Sequence, residues 1–268
     1  MASTSSNAAR LGWVRDLPDA RDHIFTAPRI STIVLPASVD LRPQCPPVYD
    51  QEQIGSCTAN AIGGAFEFEL LKQQLPDFMP SRLFIYYNER AMEHNIGSDS
   101  GAQIRDGIKS VHKLGVCSEP DWPYDGTPAN PDGTWPAGDP AGKKPPASCY
   151  TSALQNRATS YQRVVATEQQ LRGCLAAGYP FVFGFTVYES FESAEVAKTG
   201  IVPMPAPNEN VIGGHAVMAV GYDDSVQRFI VRNSWGTGWG DGGYFHMPYA
   251  YLTDNGLASD FWTIRVVT

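Results

Sequence analysis

The stretch Gln51-Glu52-Gln53-Ile54-Gly55-Ser56-Cys57-Thr58-Ala59-Asn60 decides how the chain is read, because it sets a thiol at the start of a helix. Behind it Ile62, Phe66 and Leu70 fall at four-residue steps, with Ala59 and Ala65 alongside. The spacing predicts a helix over 57–74, with Ser56 as its N-cap. Gly63-Gly64 weakens the pattern but allows close packing of a neighbouring element. The open amides and the dipole at a helix start favour an anion, so a thiolate at Cys57 is stabilised there. A reactive thiolate also needs a partner for its proton. His215 stands in Gly213-Gly214-His215-Ala216-Val217-Met218-Ala219-Val220-Gly221-Tyr222. Asn233 stands in Val231-Arg232-Asn233-Ser234-Trp235-Gly236-Thr237-Gly238-Trp239-Gly240, where it leaves a strand and is suited to accept from an imidazole N–H. Trp235 is placed to shield that bond from water. Each residue alone is more often structural, and a lone cysteine is first of all a small buried apolar side chain.

Outward from this helix, the pattern predicts helices over 81–94 and 102–114, the latter stopping at Gly115. Residues 120–147 carry eight prolines, from Pro120 to Pro146, and read as a surface excursion or a hinge between lobes. Beyond 160 the pattern changes to a short helix over 168–177. Strands follow over 181–187, 215–222, 229–233 and 244–247, separated by glycine turns. Helices first and strands later give an α+β fold of two lobes with a groove between them. Residues 1–34 begin polar and then carry Trp13 and Phe25, which are costly to leave in water; the segment reads as an extended arm.

Composition excludes several classes. Acidic residues outnumber basic ones 28 to 20, for a net charge of −8 and a pI near 5.1. A chain so charged, without a Lys/Arg block, is a poor binder of nucleic acid. With 43% hydrophobic residues it can bury a core. No apolar run reaches the roughly 20 residues of a membrane span. The start, Met1-Ala2-Ser3-Thr4-Ser5-Ser6-Asn7, lacks the apolar stretch of a secretory leader, which makes a cytoplasmic protein the default expectation. The five cysteines Cys45, Cys57, Cys117, Cys149 and Cys174 contain no CxxC pair, and the histidines form no HExxH, so no metal site is expected. Gly238-x-Gly240-x-x-Gly243 precedes a strand rather than a helix and is not a dinucleotide fingerprint.

The blocks Asn233-Ser234-Trp235-Gly236-Thr237-Gly238-Trp239-Gly240 and Gly214-His215-Ala216-Val217 resemble the asparagine and histidine blocks of the papain-like cysteine peptidases. Gly55, Ser56 and Cys57 match three of five positions of that family's cysteine signature, and Leu35–Arg42 looks like its mature N-terminus. The resemblance covers about 35–268. It implies a helical lobe over about 50–145, a β-barrel-like lobe over about 150–255 and a cleft between them. It also implies a monomer that needs no cofactor and acts on peptides or proteins through a Cys57 thiolate, whose pKa is roughly 3–4 in papain itself, paired with a His215 imidazolium. Asn233 orients the imidazole, and Gln51, six residues ahead of Cys57, donates to the oxyanion. Gly101, Ala102, Gln103, Gly184, Gly214, Ala216, Trp235 and Asp260 are expected along the substrate groove. Asp260 at the base of the second subsite favours a basic side chain there. Residues 1–34 correspond to a pro-segment, so the chain is expected to be a zymogen whose arm lies in the cleft; a loose tail is the bland alternative.

Two departures stand out. A cysteine usual in the family is Ile54 here, and its disulfide partner position falls at Asp99, so a whole bridge is missing and stability is expected to rest on packing. A usual tryptophan is Thr58. Cys117 and Cys149 flank the proline-rich excursion and could bridge it. Acyl transfer to an amine, or a silent binding protein on the same fold, are the rival activities. The second is disfavoured because Cys57 and His215 are both present.

Overall fold

The protein, as a computed structural model, is described over residues 11–26 and 34–268. Of the arm expected over 1–34, positions 1–10 and 27–33 lie outside the described residues. Two short strands, β1 (Trp13–Val14) and β2 (Ile24–Phe25), come from the arm, and β3 (Ser38–Asp40) follows. The helical lobe holds α1 (Cys57–Lys72), α2 (Arg82–Met92), the two-residue strand β4 (Ala102–Gln103) and α3 (Ile104–Leu114). After the proline-rich excursion come α4 (Ala147–Ala153), β5 (Ala158–Val164), α5 (Glu168–Ala176) and β6 (Phe181–Tyr188). The chain ends with α6 (Ala194–Thr199), β7 (Val211–Asp223), β8 (Arg228–Arg232), β9 (Tyr244–Pro248), α7 (Tyr249–Thr253) and β10 (Ala258–Val267).

α1 is the central element. Every residue from Cys57 to Leu70 is buried, because α2 and α3 cover one side and β7 and β10 the other. Its buried polar residues Thr58, Asn60 and Glu67 are hydrogen-bonded, to Glu89, the Ser56 carbonyl and the Tyr49 hydroxyl. The close approach is at Gly107 of α3, where a Cβ would stand 2.4 Å from Ile62; at Gly63 and Gly64 a Cβ would find ordinary contact, 3.8 Å from Ile85 and from Met218, so the close packing expected at that pair is corrected. The N-cap expectation for Ser56 is corrected, since its hydroxyl does not cap α1. It meets the Tyr124 hydroxyl at 2.6 Å and accepts from Asn60 Nδ2. Ser81 does cap α2, its Oγ accepting from the Phe84 amide. α3 buries Ile104, Ile108 and Val111 and turns His112 and Lys113 to solvent, which is the amphipathic pattern of an outer helix.

The main sheet runs in the order β2-β5-β10-β6-β7-β8-β9, with β3 also paired to β7. All neighbours are antiparallel except β2 and β5. The path is open, so the barrel-like expectation is corrected to a curved, unclosed sheet. Phe181, Phe183, Phe185, Phe229 and Phe261 pack ring to ring at its centre. The sheet also takes in strands outside 150–255, namely β2, β3 and β10. The 120–147 stretch is an excursion, not a hinge: Tyr124 Oη donates to the Gln51 carbonyl at 2.8 Å, and Arg90 reaches the Ala141 carbonyl within the helical lobe. All five cysteines are free; the Cys117 and Cys149 thiols hydrogen-bond to each other but are not bridged.

Candidate active site

Cys57 opens α1 in one lobe, and His215 lies within β7 in the other. Three backbone amides are hydrogen-bonded to the Cys57 sulfur: Ala216, Gly12 and Thr58. Ala216 follows His215 directly, so this contact sets the sulfur beside the imidazole. His215 Nε2 is 2.8 Å from Asn233 Oδ1. The same oxygen accepts from the Ser234 amide at 2.9 Å, which fixes the Asn233 carboxamide with its oxygen towards the ring. Nε2 therefore donates to Asn233. Trp235 stacks on the imidazole with ring centroids 4.9 Å apart and, at 5% exposed, keeps water from the His215–Asn233 bond.

Gln51 is locked against this unit. Its amide N–H donates to the Ser234 carbonyl at 2.8 Å, its Oε1 accepts from Ser234 Oγ at 2.6 Å, and its Nε2 donates to the Ile54 carbonyl at 3.0 Å. Ser234 thus ties the glutamine to the asparagine. The sequence reading did not single it out, although it stands inside the Asn-Ser-Trp block.

The arm lies across the site. β1 pairs in parallel with β4, Trp13 opposite Ala102 and Val14 opposite Gln103. The Gly12 carbonyl accepts from the Ala102 amide at 2.8 Å. Contact at Gly12 is close enough that a Cβ there would come within 1.8 Å of the Gly55 carbonyl oxygen. The Trp13 side chain covers Gly184 and Gly214; a Cβ at Gly184 would stand 2.0 Å from its ring. The indole N–H donates to Asp260 Oδ2 at 3.2 Å, and Gln103 Oε1 accepts from the Leu17 amide. Gly101, with φ +66°, leaves no room for a side chain beneath Gly12. Six residues expected along the groove, Gly101, Ala102, Gln103, Gly184, Gly214 and Asp260, are therefore brought together around one peptide. Ala216 and Trp235 sit by the sulfur and over the imidazole.

Under this cover Cys57 is fully buried, and burial pushes its thiol up to about 12 against the opposing pull of the three amides. This is the reverse of the low value that the resemblance implies: the arm-covered site holds a thiol rather than a thiolate.

The two departures have structural answers. The Asp99 carboxyl accepts from the Gly55 amide at 3.1 and 3.0 Å and from the Tyr86 hydroxyl. A polar tether thus stands where the covalent bridge is missing, in addition to the packing expected there. Thr58 points into the helical lobe and donates to Glu89 Oε1 at 2.6 Å. Glu89 is wholly buried, and burial raises its pKa well above the usual carboxylate range.

A helical lobe and a curved sheet that meet over a cysteine, a histidine and an asparagine define a papain-type cysteine protease. The model of the papain family of cysteine proteases matches residues 35–262. The chain belongs to that family, and it is a hydrolase. It is 44% identical to a peptidase C1-like protein of Acanthamoeba polyphaga mimivirus over 99% of this chain and 89% of that protein. The crystal structure of xylellain, a cysteine protease from Xylella fastidiosa, superposes with a TM-score of 0.93 at 48% identity over 97% of each chain. A cathepsin B-like protein of Giardia intestinalis is 30% identical over 81% of this chain and 71% of its own length.

Asp99→Ala leaves the buried Gly55 and Tyr86 donors without their acceptor, a loss of about 1–3 kcal/mol. Thermal unfolding of Asp99→Ala is expected several degrees below that of the unaltered chain, with Asp99→Asn between the two.

Proposed function

We propose that Cys57 is the nucleophile of a peptide-bond hydrolase and His215 its acid–base partner. The observation that carries this reading is the meeting of the Cys57 sulfur with the Ala216 amide beside an imidazole whose Nε2 is committed to Asn233. Cys57 Sγ attacks the peptide carbonyl, and His215 Nδ1–H donates to the leaving amine. Water then releases the acyl group, with the same imidazole as base. Asn233 and Trp235 orient the ring. Gln51 Nε2 and the Cys57 amide are the donors to the oxyanion.

Residues 11–14 act in this reading as a built-in blocker. Their support is the contact of Gly12 with the sulfur and of Trp13 with Gly184, Gly214 and Asp260. The blocker resists cleavage because the Gly12 carbonyl is turned onto the Ala102 amide rather than towards Gln51. Asp260 selects a hydrogen-bond donor at the second subsite. Its Oδ1 lies 3.4 Å from Arg163, while Oδ2 receives the indole N–H of Trp13 and the Asp16 amide. An arginine of a substrate suits the place that the indole holds.

With the groove opened by Trp13→Ala, iodoacetamide is expected to label Cys57, and Cys57→Ala in that background to be unlabelled there and without peptidase activity. Labelling confined to other cysteines, with activity retained in Cys57→Ala, would overturn the assignment. Gln51→Ala should lower kcat by about 100- to 1,000-fold. In the unaltered chain a thiol at about 12 sets the sign of the pH dependence. The thiolate fraction, and with it the labelling rate, should climb about tenfold per pH unit between pH 7 and 10; a rate flat across that range contradicts the covered-thiol state. Asp260→Ala should erase the preference for arginine over leucine at the second subsite.

A further inference from the structure

Beyond Trp13 the arm is held by contacts unlike those of its first residues. The Asp16 carboxyl is buried, accepting from the Trp262 indole N–H at 2.9 Å and from the Arg105 amide at 3.1 Å. The Asp22 carboxylate is gripped by two arginines. Arg105 donates through Nε at 3.0 Å and Nη2 at 2.7 Å, and Arg163 through Nη1 at 3.0 Å. The side chains of Asp22 and Arg105 are 5% and 4% exposed. Arg105 belongs to α3 in the helical lobe and Arg163 to β5 in the sheet, so one carboxylate bridges the lobes. The Arg105 guanidinium also donates to the Leu17 carbonyl, again in the arm. Farther on, β2 pairs with β5, the His23 carbonyl accepts from the Arg163 amide at 2.7 Å, and Phe25, 4% exposed, joins the hydrophobic core.

These two stretches differ in what their departure would cost. Residues 11–14 lie on glycines and release a groove that a substrate can refill. Removing 16–25 would strip the guanidinium of a buried arginine of its carboxylate, take a strand from the sheet and open a hole at Phe25. A buried charge left without its partner is strongly destabilising. Leu17, 71% exposed, lies near the start of the second part in a stretch without regular structure.

We propose that only Leu11–Val14 leaves the cleft on activation, while Asp16–Phe25 stays docked as a strap across both lobes, with Asp22 as a positioning residue for catalysis. This rests on the blocking role of residues 11–14. The strap matters to the reaction because the sulfur is carried by the helical lobe and the imidazole by the sheet. A tie between α3 and β5 fixes the spacing of the lobes, and a misplacement of about 1 Å costs on the order of 100-fold in rate.

The test uses full-length variants, a fluorogenic peptide amide, thermal unfolding and hydrogen exchange of the arm amides. Trp13→Ala should raise kcat/KM about tenfold or more, with Tm nearly unchanged and protection lost only at 11–14. Asp22→Ala should lower Tm by about 5 °C or more and expose the Ile24 and Phe25 amides. Added to Trp13→Ala, it should lower kcat about tenfold with KM held within about twofold. If Asp22→Ala does not fold, Asp22→Asn reads the same quantities. The strap is overturned if the Asp22 variant raises kcat/KM as much as Trp13→Ala, with Tm unchanged and protection lost over all of 11–25. If Trp13→Ala leaves the rate unchanged while the Asp22 variant loses stability and exposes β2, the blocking role fails and the strap stands.

Discussion

The site exists only while the first turn of α1 rests against β7. Cys57 and His215 come from different lobes, and nothing local along the chain brings them together. Their meeting depends on how closely α1 can lie between its neighbouring helices and the sheet, and Gly107 of α3 permits this by offering no side chain against Ile62. The same packing that buries α1 on all sides aims its amide end at the cleft. The electrostatics of a helix start and the placement of the sulfur are thus two results of one contact.

Around that contact the polar groups form a single connected unit. Ser234 gives its amide to Asn233, its carbonyl to the Gln51 amide and its hydroxyl to Gln51 Oε1. One residue therefore couples the group that orients the imidazole to the group aimed at the oxyanion. Trp235 seals the unit from above. Asn233 Oδ1 accepts two hydrogen bonds within this unit, while Asn233 Nδ2 is buried without a hydrogen-bond partner among the described residues.

The arm shows how a peptide fits the groove. Its backbone adds to Ala102 and Gln103, its indole lies over the glycines of β6 and β7, and its amide meets the sulfur. The cover also changes the chemistry beneath it. Burial favours the neutral thiol, and in the proposed reading the filled groove and the protonated nucleophile both hold the closed chain back.

The helices and strands with clear periodicity were legible in the sequence, and Gln51, Cys57, His215 and Asn233 stood out there as candidates, because their spacing and neighbours are local properties of three short blocks. The breaker glycines and the apolar runs fixed α1, α2, α3, β6 and β7 to within a few residues. What the sequence by itself could not determine was every partnership across the chain. Asp99 replacing a bridge, Thr58 turning to Glu89, Ser56 leaving its cap for Tyr124, and Asp22 joining two arginines are all long-range hydrogen bonds, and no period or motif encodes them. The openness of the sheet and the high pKa of Cys57 were likewise decided by tertiary structure. The first depends on which strands find edges, and the second on how completely a distant segment excludes water from one sulfur atom.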